Sequence, residues 1–97
     1  MLRHVVLFSW TPEATDEQKE RVTAELRKLP ALIPSIRALE FGPSAGINPG
    51  AFDFGLVADF DDADGYRAYR DHPGHRAVVD MFINPIAARR ASTQYEF

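Results

Sequence analysis

The run Leu2-Arg3-His4-Val5-Val6-Leu7-Phe8-Ser9-Trp10 limits the fold more than any other part of the chain. Read with the two-residue period of an extended strand, it is apolar on both sides: Leu2, His4, Val6, Phe8 and Trp10 share one face, Val5 and Leu7 the other. A second strand, Ile36 to Phe41, repeats the pattern, with Ile36 and Ala38 against Leu39 and Phe41. A sheet covered by helices on one side leaves its other face to water, and that face should then be polar. Here it is not. The helices of a 97-residue chain can screen only one face. The other packs most economically on the same face of a second copy, as an isologous homodimer. The alternative is a monomer with a tolerably apolar open face.

The remaining elements follow from local signals. Strand one, Arg3 to Trp10, stops at Thr11-Pro12, because proline cannot donate to a sheet ladder. Thr15-Asp16-Glu17-Gln18 reads as a capping box, and Val22, Leu26 and Leu29 continue at helical spacing to Pro30, predicting a helix over 15–29. Gly42-Pro43 through Asn48-Pro49-Gly50 is dense in turn formers. Asp53 to Phe60 alternates as a third strand. Asp61-Asp62 and Asp64 open a short helix carrying Tyr66 and Tyr69. Pro73 suits a first helical position and predicts a helix to about Asn84, with Val78, Val79, Phe82 and Ile83 on its apolar face. After Pro85 a fourth strand alternates Ala91, Thr93, Tyr95 and Phe97 with Ser92, Gln94 and Glu96. The order β-α-β-β-α-β in one domain over 1–97 is an α+β fold with a four-stranded antiparallel sheet.

Composition removes several functions. Basic residues are outnumbered, with a net charge of −3, and Arg27-Lys28 and Arg89-Arg90 are adjacent basic pairs far apart in the sequence, so no phosphate-binding patch for nucleic acid is expected. The absence of cysteine excludes disulfides, thiolate nucleophiles and Cys-ligated metals. Val5-Val6-Leu7-Phe8 is too short for a signal core or a membrane span, which makes a cytoplasmic location the default. His72 and His75, three apart, have a spacing that can reach one metal ion, with His4 as third ligand. No carboxylate is clearly placed to complete that set, and no metal or other cofactor is expected.

The opening Leu2-Arg3-His4-Val5-Val6-Leu7-Phe8, the Glu17-Gln18-Lys19 of the first helix, Ile33-Pro34, and above all Tyr69-Arg70-Asp71-His72-Pro73-Gly74-His75 resemble the stress-responsive A/B barrel family over nearly the whole chain. The resemblance implies a ferredoxin-like subunit that pairs sheets into a dimeric α+β barrel. It also implies a site, since a plant relative, olivetolic acid cyclase, closes a linear polyketide by aldol condensation with two histidines and nearby tyrosines. By this resemblance His4 and His75 occupy the two histidine positions, and Tyr69 matches a pocket tyrosine. Phe54 and Leu26 stand where that enzyme has a further histidine and a tyrosine, so the same closure is not implied.

Enolisation needs a base of near-neutral pKa beside an acidic C–H and a donor for the developing oxyanion. His75, in the first turn of the helix opened by Pro73, is the expected base, and Tyr69 the expected donor. An apolar or aromatic small molecule would be held by Val6, Phe8, Leu26, Phe54, Leu56 and Tyr66; a cavity below roughly 100 Å³ would be too small for it. Each histidine also has a plainer reading. His72 is expected as a helix N-cap. His4 is either ligand-facing or a buried histidine hydrogen-bonded to another side chain. The alternative for the protein as a whole is a non-catalytic stress or partner-binding module whose cavity is filled by its own side chains.

Overall fold

The computed structural model describes residues 1–97. Strand β1 (Leu2–Trp10) leads into helix α1 (Asp16–Arg27) and a one-turn helix α2 (Leu29–Leu32). Strands β2 (Ala38–Pro43) and β3 (Phe54–Phe60) follow, then helices α3 (Ala63–Asp71) and α4 (Pro73–Val78), a π-helical turn (Val79–Ile83), and strand β4 (Ala87–Glu96). The sheet order is β2-β3-β1-β4, with every neighbouring pair antiparallel.

The helix starts obey local chemistry. Gln18 N–H donates to Thr15 Oγ1 at 3.1 Å while the Gln18 side-chain oxygen accepts from Thr15 N–H at 2.9 Å, which satisfies two otherwise orphaned donors. Asp62 caps α3 by accepting from Gly65 N–H at 2.8 Å. His72 caps α4: its Nδ1 accepts from Gly74 N–H at 2.9 Å. Pro73 occupies the first turn of α4, where its missing N–H costs nothing.

Boundaries differ from the sequence reading at three places. The first helix breaks at Lys28, because Pro30 has no N–H to continue the ladder, and Leu29–Leu32 restart as a separate turn that buries Leu29. The second strand begins at Ala38 rather than Ile36, since the chain leaving Ile33 is still turning at Ile36, whose N–H donates to Ile33 C=O. The helix from Pro73 stops being α-helical at Val78; Asn84 N–H reaches the Val79 carbonyl five residues back, at 2.8 Å.

One core lies between sheet and helices. Phe8, Phe54, Leu56, Ala58 and Phe60 supply the sheet side, and Val22, Leu26, Leu29, Tyr69 and Val78 the helical side. Fully burying a side chain of this size stabilises by roughly 1.5–3 kcal/mol. Leu39 and Phe41 pack against this core, whereas Ala38 is exposed on the far face.

The far face reads in rows across the ladder. Gly42, Gly55, Leu7 and Ala91 form one row; Glu40, Val57, Val5 and Thr93 the next; Ala38, Asp59, Arg3 and Tyr95 the third. No helix covers it, and Leu7 and Tyr95 stand 37% and 46% exposed. Ala91, Thr93 and Tyr95 thus belong to the uncovered face. The core-side flank of β4 is polar, with Arg90, Ser92, Gln94 and Glu96 opposite Phe8, Val6, His4 and Leu2. No helix is long and apolar enough to cross a membrane.

Candidate functional site

Strand β1 and helices α3 and α4 bring together a compact group of imidazole and phenol rings. His4, on the core face of β1, is 7% exposed, the one buried residue that is polar. Its ring centroid lies 4.8 Å from that of Tyr66 and 6.1 Å from that of Tyr69. Tyr69 in turn lies 4.1 Å from His75. The two tyrosines reach the same side of α3 because they are three residues apart, and after the break at His72 the first turn of α4 sets the His75 ring against that of Tyr69.

Backbone and side-chain partners orient both imidazoles. The Nδ1 of His75 lies 3.1 Å from the Arg70 carbonyl; a carbonyl only accepts, so Nδ1 carries the proton and the neutral ring keeps its lone pair on Nε2. The Nδ1 of His4 lies 2.8 Å from Nε2 of Gln94 on β4. Burial lowers the His4 pKa to about 4, with the nearby His75 adding to the effect. The pKa of His75 is also lowered, by burial first, against the opposing hydrogen bond to Arg70. Burial raises that of Tyr69, so its hydroxyl keeps its proton at neutral pH.

His75 opens onto a cleft of about 280 Å³ that is also lined by Arg70, Arg76, Val79, Asp80 and Asn84. The Arg70 guanidinium is committed to Asp71 through two hydrogen bonds of 2.9 and 3.0 Å. A larger and more open cleft of about 630 Å³ sits at the β2–β3 loop, between Trp10, Lys19, Ser44, Asn48 and Asp53. It contains none of the histidines or tyrosines, and its Asp53 carboxylate already accepts from Trp10 N–H at 2.8 Å. Chemistry therefore favours the smaller cleft.

Four of the six side chains expected around a ligand, Phe8, Leu26, Phe54 and Leu56, are members of the packed core. Val6 and Tyr66 pack against it, partly buried. None of the six lines the cleft at His75. No group of three or more His, Cys, Asp or Glu side chains is placed to hold a metal ion, and the His72 ring nitrogen nearest its backbone is taken by the helix cap.

Gln94 was not among the expected site residues. It is invisible in one dimension because its contact with His4 spans 90 positions and depends on the register of β4 against β1. The available signal was parity: Gln94 alternates with Thr93 and Tyr95, so it must share a face with whichever residue of β1 it meets.

The model of the Stress responsive A/B Barrel Domain matches residues 2–97. The chain belongs to this family. A family member's sheet and helices are what the rings above are mounted on, and solved relatives share the arrangement. A dimeric ferredoxin-like protein from Thermobifida fusca is 44% identical, with a TM-score of 0.92 over 99% of this chain and 90% of that one. Another dimeric protein of ferredoxin-like fold, from Bacteroides fragilis, is 32% identical, with a TM-score of 0.82 over 99% of this chain and 95% of that one. An uncharacterized protein of Streptomyces coelicolor is 34% identical across 84% of this chain and 87% of its own length. The A/B barrel chain described here is thus a ferredoxin-like α+β domain whose similar relatives are described as dimeric.

Proposed function

We propose that this A/B barrel protein is a homodimeric small-molecule-binding barrel. His75, His4 and Tyr69 perform cofactor-independent acid–base chemistry of the cyclase or isomerase type on a hydrophobic or aromatic, polyketide-like carbonyl compound. The observation that carries the reading is the hydrogen bond from His75 Nδ1–H to the Arg70 carbonyl, which leaves Nε2 as the proton acceptor of a ring packed against Tyr69 and opening onto a cleft. In the proposed step Nε2 of His75 removes a proton from the carbon next to the ligand carbonyl. The C–H electron pair becomes the enolate π bond and negative charge collects on oxygen, where Tyr69 O–H donates to it. The proton on His75 then returns to the product. Positioned acid–base help of this kind contributes about 10²- to 10⁴-fold in rate. Val6, Phe8, Leu26, Phe54, Leu56 and Tyr66 belong to the packed interior beneath these rings and support them without lining the cleft.

The homodimer in this proposal uses the uncovered sheet face. Support comes from its rows of Leu7, Val5, Val57 and Ala91 and from the relatives described as dimeric. Gly42 and Gly55 add a further argument. Neither has a left-handed backbone, and a side chain at Gly42 would meet nothing within 4 Å in its own chain. Glycine inside a strand weakens it unless something approaches closely, and a second copy is what approaches here.

One observation favours the non-catalytic reading: the expected ligand walls are packed on one another, and the 280 Å³ cleft at His75 lies near the lower end of the roughly 300–1,000 Å³ usual for ligand sites. A screen of aromatic and polyketide-like carbonyl compounds against the purified protein and His75→Ala separates the two. Stabilisation or turnover that depends on His75 supports the enzyme; equal responses in both proteins exclude it.

A further inference from the structure

His4 and His75 are held in opposite senses, and the residue responsible on the His4 side is Gln94. The two face each other across the β1–β4 ladder, at paired positions, with 2.8 Å between Gln94 Nε2 and His4 Nδ1. A primary amide nitrogen has protons to give and no lone pair to accept with, so the His4 nitrogen it meets must be the bare one. A neutral imidazole bare at Nδ1 carries its proton on Nε2. On His75 the backbone carbonyl of Arg70 imposes the reverse, Nδ1 protonated and Nε2 bare.

The other neighbours of His4 do not compete for this choice. Ala58 is its partner on β3, and Tyr66 and Tyr69 approach from α3 through their rings. Glu96 and Ser92, the positions flanking Gln94 on the same side of β4, are exposed. No carboxylate bonds to His4, so nothing holds it as imidazolium. The selection therefore falls to one amide. The flank of β4 around it is otherwise solvent-exposed, where glutamine has no packing reason to be ordered.

We infer that Gln94 is a positioning residue that fixes His4 as its Nε2–H tautomer, so that the two histidines present one imidazole donor and one imidazole acceptor to the same ligand. The inference rests on the proposed site for its use and adds a substrate class to it: carbonyl compounds whose oxygen accepts from His4 Nε2–H while an acidic hydrogen on the adjacent carbon meets His75 Nε2. A ligand with only donors, such as an ammonium ion, does not match the pair.

The test is nitrogen-15 NMR of the imidazole rings in the full-length, ligand-free protein at neutral pH, in the wild type and in Gln94→Glu and Gln94→Met. In the wild type His4 is expected protonated at Nε2 and His75 at Nδ1. A glutamate carboxylate only accepts, so Gln94→Glu should transfer the His4 proton to Nδ1, or protonate both nitrogens, with His75 unchanged. Gln94→Met keeps the length of the side chain but gives no donor, so the bare Nδ1 resonance of His4 should move downfield. Unchanged His75 signals serve as the control for folding; should the Glu variant fail it, the Met variant decides alone. His4 protonated at Nδ1 in the wild type, or His4 signals unmoved in a folded variant, would overturn the inference. No ligand enters these measurements, so their outcome is separate from that of the ligand screen.

Discussion

The rings of His75 and Tyr69 lie 4.1 Å apart, centroid to centroid, tilted by 39°. This contact places an imidazole held by a backbone carbonyl against a phenol that keeps its proton. The residues come from two helices that the His72-Pro73 break sets at an angle, so the pair depends on the break as much as on the rings.

For a ligand that the protein turns over, His75→Ala should lower kcat by about 10²- to 10⁴-fold, the range for loss of a positioned general base. Tyr69→Phe should lower kcat while changing unfolding free energy by no more than about 1 kcal/mol, because only one hydroxyl is lost and the ring still packs. Steady-state kinetics beside urea unfolding of each variant checks both. A kcat unchanged in either would remove that residue from the mechanism.

The buried His4 should make stability depend on pH. Its folded pKa of about 4 lies below the ordinary 6.5, so the unfolded chain takes up a proton first as the pH falls. Its contribution is complete above pH 6.5 and is lost progressively down to about 4, on the order of 2–3 kcal/mol across that window. His4→Phe should flatten this part of the curve, leaving the slope due to His75 and the paired carboxylates common to both proteins. Urea midpoints between pH 7.5 and 4.5 give the comparison, and identical slopes would refute the assignment.

Leu7→Lys and Gly42→Val should each weaken self-association at least tenfold, about 1.4 kcal/mol, by placing a charge or a branched side chain on the uncovered sheet face. Gly42→Val is the sharper of the two. Its side chain has free space in its own chain and a strand-favouring residue type, so the fold should survive. Sedimentation at micromolar concentration reads the result. A wild-type species near the 10.9 kDa chain mass would defeat the dimer outright.

Leu26→Ala should cost about 2–5 kcal/mol, as for other buried leucines, since Leu26 is 1% exposed in the middle of the core. Thr15→Ala should cost about 1 kcal/mol by removing one half of the capping box. Chemical denaturation measures both, and a cost for Leu26→Ala below that of Thr15→Ala would mean the leucine side chain is not part of a tightly packed interior.

Much of this architecture was readable in one dimension because its signals are local. Thr15 and Gln18 specify a helix start through four residues, His72 and Pro73 specify another, and the alternation in β1 tells its faces apart without reference to the rest of the chain. Ile36 misled because its apolar side chain packs on the core from a turn, and burial, unlike backbone conformation, was what the residue type encoded. The expected ligand walls had the same weakness: Phe8, Leu26, Phe54 and Leu56 look alike as core or as pocket until their neighbours are known. Gln94 needed the strand register, and the cleft beside His75 needed the turn made by α4, and both are properties of chain segments meeting at a distance.

The antiparallel register of β4 against β1 has one more consequence. Because consecutive strand residues point to opposite sides, inserting or deleting one amino acid between Asn84 and Ala87 would exchange the roles of every side chain on β4 if the ladder kept its length. Thr93 or Tyr95 would then confront His4, and Gln94 would emerge among Val5 and Leu7. A single-codon slip in that short connection would disable the imidazole and the association surface together, so length there should tolerate less change than composition does.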